Sequence, residues 1–190
     1  MTEEHRTDSQ QRRAVFLDRD GVLVVPEFRN GRSYAPRTLD TYRFYEGAAQ
    51  DLTKLHDFGF RLIVVTNQPD IANNLIEPET VATMHNQLGS ELPVDEIFVC
   101  PHGQKDDCDC RKPKPGMLLA AAEKHKVDLD TSFMVGDRNS DMIAGKAAGC
   151  HTIFIDLGYE AEKKPDNPDW IVNNLHEAVT RILENEQTRK

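Results

Sequence analysis

The chain has little of what marks a membrane, secreted or nucleic-acid-binding protein. No apolar run approaches the ~20 residues that cross a bilayer, and the polar N-terminus, MTEEHRTDSQQRR, has no apolar stretch like that of a secretion signal. Cations are in the minority: 23 Lys and Arg stand against 32 Asp and Glu, a formal charge of −9. Nucleic-acid phosphates reward clustered Lys and Arg, so this balance argues against a nucleic-acid partner. Aromatic residues make up only 7% of the chain, which leaves no aromatic-rich groove on which single-stranded bases would stack. Internal repeats and long low-complexity linkers are also missing. These absences lead us to expect a cytoplasmic protein without a membrane partner. It should form a single domain over residues 14–186, between a disordered lead at 1–13 and a frayed tail at 187–190.

Cysteine is sparse but clustered. Of four, Cys100, Cys108 and Cys110 fall within eleven residues, and with His102 they form a C-x-H-x5-C-x-C pattern. In a reducing compartment such clustering favours metal over disulfides. Three thiolates and one imidazole complete a closed tetrahedral set, the ligand count of a structural Zn²⁺ site with no position left for catalysis. Cys150 lies apart and reads as a small core residue. The remaining histidines, His5, His56, His85, His125, His151 and His176, are assigned to surfaces or helix faces.

Short apolar, β-branched runs alternate with helical patterns along the chain. Strands are expected at 14–18, 61–66, 95–100, 132–137, 151–156 and 169–174. Helices are expected at 48–58, near 78–90, and at 115–126, 139–149 and 175–186, the second and third opened by Pro78 and Pro115. Strand–helix alternation with near-continuous apolar strands predicts an α/β fold, a mostly parallel sheet covered on both faces. Residues 24–47 show no strong period and read as a long flap loop.

Parallel sheets collect reactive groups at the carboxyl ends of their strands. Asp18, Thr66 and Asp137 each end an apolar run, so they should meet at one edge. The segment Val15-Phe16-Leu17-Asp18-Arg19-Asp20-Gly21 carries two carboxylates spaced i, i+2, which share a face if the backbone stays extended. Such a pair suits a nucleophile and a proton carrier screened by a hard cation, and it serves equally well as an acidic turn. Thr66-Asn67 offers a hydroxyl and amides to a phosphoryl oxygen. Arg111-Lys112-Pro113-Lys114 places cations just before a helix N-terminus. Asp137 can ligate a cation, and Asp141, one helical turn on, can steady the site from behind.

In this order, FLDRDGV, VVTNQ, RKPKPG and VGDRNSDM resemble the four motifs of the haloacid dehalogenase-like phosphatases, over residues 14 to 157. The resemblance implies a Rossmann-like three-layer sandwich without a large cap domain. It implies that Asp18 is the nucleophile of an aspartyl-phosphate pathway and Asp20 the general acid and base. By the same resemblance Thr66, Asn67, Arg111 and Lys112 bind phosphate or substrate, with Lys114 the alternative to Lys112. Asp18, the backbone carbonyl of Asp20, and Asp137 would hold Mg²⁺, with Asp141 behind them. The loop at 100–110, together with CDCRKPKPGM and SYAP, resembles the zinc-loop branch that contains heptose-bisphosphate and histidinol-phosphate phosphatases. A monomer acting on a small phosphorylated metabolite, most simply a sugar bisphosphate, is therefore expected.

Overall fold

The computed structural model describes residues 12–188. Six strands form one parallel sheet in the order β5-β4-β1-β6-β7-β8. They are β1 (Ala14–Leu17), β4 (Arg61–Asn67), β5 (Glu96–Cys100), β6 (Phe133–Gly136), β7 (His151–Ile155) and β8 (Trp170–Val172). β2 (Glu27–Arg29) and β3 (Arg32–Tyr34) make a separate antiparallel hairpin.

Alternation along the strands builds the layers, because successive side chains point to opposite faces. Val15 and Leu17 of β1, with Leu62 and Val64 of β4, pack on one face with α1 (Ala48–Asp57), α3 (Pro78–Glu91) and α6 (Leu175–Thr188). Ala14 and Phe16, with Ile63 and Val65, pack on the other with α4 (Gly116–His125) and α5 (Asn139–Ala148). The result is the expected three-layer α/β sandwich.

Several boundaries depart from the sequence reading. Arg12 bridges to Val127, and the Arg13 carbonyl accepts from the Arg61 N–H, so both belong to the domain rather than to a disordered lead. Residues 1–11 of that lead and 189–190 of the tail lie outside the described residues. α6 runs to Thr188, two residues past its expected end. A short helix, α2 (Pro69–Ala72), follows β4.

The 24–47 segment, expected as a flap loop, holds the hairpin and a one-turn 3₁₀ helix at Leu39–Thr41. The hairpin turn is Asn30-Gly31, both with positive φ (51° and 73°). That Asn-Gly pair is the residue signature of a two-residue hairpin turn. Its strands are only three residues long, too short for alternation to have shown in the sequence.

Candidate active site

Chain order reverses across β1, whose neighbours are β4 on one side and β6 on the other. Crevices at such a switch point, outside the carboxyl ends of the strands, are where this architecture binds ligands. A cavity of about 600 Å³ lies there, with Asp18 and Asp20 in its wall. The expected convergence of strand ends is seen in Asp18 and Asp137, whose carboxylate oxygens lie within 4.8 Å of each other. It is seen also in Thr66, which Gln68 links to Asp20, although neither Thr66 nor Asp137 lines the cavity. Strand pleat does not cause the pairing of Asp18 and Asp20. β1 ends at Leu17, and the chain then curls so that the Arg19 carbonyl accepts from the N–H groups of both Leu23 and Val24. Gly21 makes the curl possible. Its φ is +88°, and a Cβ there would sit 2.0 Å from Asp137 Oδ2.

Three carboxylates, Asp18, Asp137 and Asp141, gather at this edge with oxygen atoms all within 4.8 Å of one another, and Asp18 and Asp141 line the cavity. Each is buried. Lys112 Nζ stands 3.0 Å from Asp18 Oδ1 and 2.7 Å from Asp141 Oδ1. Burial works against the lysine's charge, but Asp141 and Asp18 outweigh it and raise its pKa. Burial, with the Asp18 charge adding to it and Lys112 opposing, lifts Asp141 to about 6. Asp137 is raised well above the usual carboxylate range by burial and then by Asp18 and Asp141.

One ammonium cannot neutralise three carboxylates, and the hydrogen bonding shows where a cation fits. Asp141 Oδ1 faces Lys112, and its Oδ2 accepts from the Arg138 N–H at 3.0 Å. Asp137 Oδ2 accepts from the Tyr159 hydroxyl at 2.5 Å, whereas Asp137 Oδ1 is buried with no hydrogen-bond partner. An orphaned buried carboxylate oxygen beside further anionic oxygens is a donor set for a small hard cation such as Mg²⁺.

The phosphate-motif residues divide by geometry. Arg111 lines the cavity. Thr66 is fully buried, and its Oγ1 accepts from Gln68 Nε2 at 2.9 Å. The Asn67 side chain donates to the Lys112 carbonyl at 3.0 Å and accepts from the Lys112 N–H at 3.1 Å. Both ends of the amide are spent on the backbone carbonyl and N–H of Lys112, so here Asn67 holds the backbone that brings the Lys112 ammonium to the carboxylates. Lys114 points elsewhere, pairing with the exposed Asp107 and Asp109 at 2.8 and 3.3 Å. Between the two lysines the fold brings Lys112 to the carboxylates.

Comparisons with known proteins match this geometry. A HAD-hydrolase-like family model covers residues 109–178. The D-glycero-beta-D-manno-heptose-1,7-bisphosphate 7-phosphatase of Pasteurella multocida is 36% identical over 159 residues, 77% of this chain and 83% of that protein. The chain belongs to the haloacid dehalogenase-like phosphatases. A second relative of the same name, from Escherichia coli, is 34% identical over 176 residues, 85% of this chain and 89% of its own length. The solved D,D-heptose 1,7-bisphosphate phosphatase of B. bronchiseptica, complexed with magnesium and phosphate, superposes with a TM-score of 0.77. It shares 28% identity, and the match covers 91% of this chain and 99% of that one.

This haloacid dehalogenase-like chain brings the four soft ligands together as the spacing implies. Cys100 Sγ lies 3.7 Å from Cys108 Sγ and 3.5 Å from His102 Nδ1, which is 3.2 Å from Cys110 Sγ. A tetrahedron with metal–sulfur bonds of ~2.3 Å has edges of roughly 3.8 Å, so these spacings fit one Zn²⁺. Cys150 is buried in the same apolar layer, among α4 and α5 residues, but is not one of the four grouped donors.

Sequence reading missed a second tier of this haloacid dehalogenase-like site. Arg19, inside the first motif, is completely buried and pairs with Asp20. His85 is only half-buried on α3, yet its Nε2 meets Arg19 Nη1 at 2.9 Å. Burial and the Arg19 charge push His85 down to about 4. Its only signal in the sequence was a histidine on the α3 face that also carries Val81, Met84 and Leu88.

Proposed function

We propose that this chain hydrolyses a phosphomonoester through an aspartyl-phosphate on Asp18, and that its substrate is D-glycero-D-manno-heptose 1,7-bisphosphate, cleaved at the 7-phosphate. The observation that carries the chemistry is Asp18 at a cavity floor, buried beside Lys112, Asp137 and Asp141. The names of the relatives support the substrate and specify the β anomer.

Asp18, Asp137 and the Asp20 carbonyl would hold Mg²⁺, which supplies neutralising charge for a phosphoryl dianion. Lys112 lowers the remaining repulsion between the Asp18 carboxylate and the incoming phosphate. An Asp18 oxygen attacks phosphorus and displaces the sugar oxygen, which takes a proton from Asp20. Asp20, now a carboxylate, removes a proton from water; that water attacks the aspartyl-phosphate and releases inorganic phosphate with Asp18 restored. Asp141 orients Lys112, and Cys100, His102, Cys108 and Cys110 would hold a Zn²⁺ that orders the loop leading to Arg111 and Lys112.

Arg32, Arg111 and Lys163 also line the cavity, while its carboxylates Asp70 and Glu162 are paired with Arg37 and Arg138, which favours a substrate with a second phosphate. Histidinol phosphate, the alternative, carries an ammonium group where that wall offers cations. The same reading makes the protein a cytoplasmic monomer. Among the described residues no helix is long and apolar enough to cross a membrane.

Phosphate release from a panel of both anomers of heptose bisphosphate, histidinol phosphate and simple sugar phosphates tests the assignment. The β-heptose bisphosphate should show the highest kcat/KM. A histidinol-phosphate preference would replace the substrate but keep the chemistry, and turnover surviving in Asp18→Asn would end the mechanism.

A further inference from the structure

Asp20 is held by a residue that cannot itself reach a substrate. The Arg19 guanidinium donates from Nε to Asp20 Oδ1 and Oδ2 at 3.1 and 3.2 Å, and from Nη2 to Oδ2 at 3.0 Å. Gln68 Nε2 adds a donor to Oδ2 at 2.8 Å. Arg19 and His85 are both absent from the cavity wall, whereas Asp20 and Gln68 are part of it. The Arg19 backbone N–H donates to Asp18 Oδ1 at 2.7 Å whatever its side chain, so the influence of the guanidinium on the reaction passes through Asp20.

Arg19 is itself braced from outside the site. Its remaining named donor contact is Nη1 to His85 Nε2 on α3, and the guanidinium lies 5.7 Å from the centroid of the Tyr42 ring. A guanidinium only donates, so His85 Nε2 must accept, which places the imidazole proton on Nδ1 and leaves the ring neutral. The planar fork also grips a carboxylate in a defined orientation, which a lysine ammonium would not do.

We propose that Arg19, braced by His85, is the positioning residue for Asp20: it fixes the carboxylate's orientation for proton transfer while touching no substrate. This rests on the reading of Asp20 as general acid and base. An acid free to rotate among side-chain rotamers spends much of its time misaimed, and small misplacements of a catalytic group are costly.

Leaving-group dependence separates positioning from mere packing. An alkyl leaving oxygen needs the proton, whereas p-nitrophenolate departs without it. With Mg²⁺ present, the phosphorylation half-reaction of the full chain is followed by rapid quench on a sugar phosphate and on p-nitrophenyl phosphate. His85→Leu and Arg19→Lys should slow the sugar phosphate about tenfold and the aryl phosphate less than about twofold. His85→Gln, which keeps an acceptor, should restore most of the loss. His85→Leu covers the case in which the fully buried Arg19 tolerates no replacement. Equal slowing of both substrates, or no slowing of either, would overturn the proposal. Asp20→Asn is the reference. If it too lacks leaving-group selectivity, the acid–base reading of Asp20 fails; if it is selective while His85→Leu is not, only the positioning role fails.

Discussion

Lys112 and Asp18 form a buried ion pair, Nζ to Oδ1 at 3.0 Å, with Asp141 on the lysine's other side at 2.7 Å. The two residues should respond differently to substitution. Asp18→Asn removes one of three crowded carboxylates and leaves Lys112 paired with Asp141, so the melting temperature should hold or rise. Phosphate release should fall by roughly 10⁴-fold or more, because the nucleophile is gone. Lys112→Met strips the counter-charge from buried Asp18 and Asp141 and should cost about 3–5 kcal/mol in denaturant melts as well as activity. A stable Lys112→Met protein would show that the carboxylates do not depend on the lysine.

Asn67 should act through Lys112. Its side chain donates to the backbone carbonyl of Lys112 and accepts from the Lys112 N–H. Asn67→Ala leaves a donor and an acceptor without those partners, a loss of about 1–3 kcal/mol. A lower kcat/KM for all phosphate esters alike should accompany it. Steady-state kinetics on two unrelated esters checks this; a loss confined to one substrate would point to direct substrate contact instead.

The Cys100, His102, Cys108 and Cys110 cluster predicts one zinc per chain by elemental analysis of reduced protein. Cys110→Ser should lower zinc content and melting temperature together, because metal-binding energy at such a site is folding energy. Cys150→Ala should keep the full zinc content, since Cys150 is not among the four grouped donor atoms. Protein purified under reducing conditions without zinc would refute the assignment.

His85 gives stability a pH dependence of known sign. Its folded value is pushed down to about 4 by burial and then by Arg19, against about 6.5 in an unfolded chain. Between those values the unfolded state binds more protons, so stability rises with pH. The contribution is complete above about pH 6.5 and is lost as pH falls toward 4, on the order of 2 kcal/mol by pH 5. Wild type should therefore lose more stability than His85→Gln between pH 7 and 5 in paired denaturant melts. An NMR titration of His85 near 6.5 would contradict it.

The sandwich was legible because it is written in local signals. RLIVVT, HTIFI and their neighbours are short runs of β-branched and aliphatic residues, the pattern of strands buried on both faces. The hairpin at 27–34 was missed because its strands are short, although Asn30-Gly31 announced its turn. Arg19 was passed over because charge in a motif loop ordinarily faces water, and here it is fully buried.

The succession of strands and helices, the four phosphatase motifs and the Cys/His cluster were legible in the sequence alone, since each depends on residue type and spacing along the chain. The parallel sheet then brings residues dozens of positions apart to one edge, and only that folding decided how they are used. It chose Lys112 over Lys114, turned Asn67 toward the Lys112 peptide, and left Asp137 Oδ1 free while Tyr159 took Oδ2. It also set Arg19 between Asp20 and His85. Burial and hydrogen-bond partners come from contacts across the fold, and no local spacing records them.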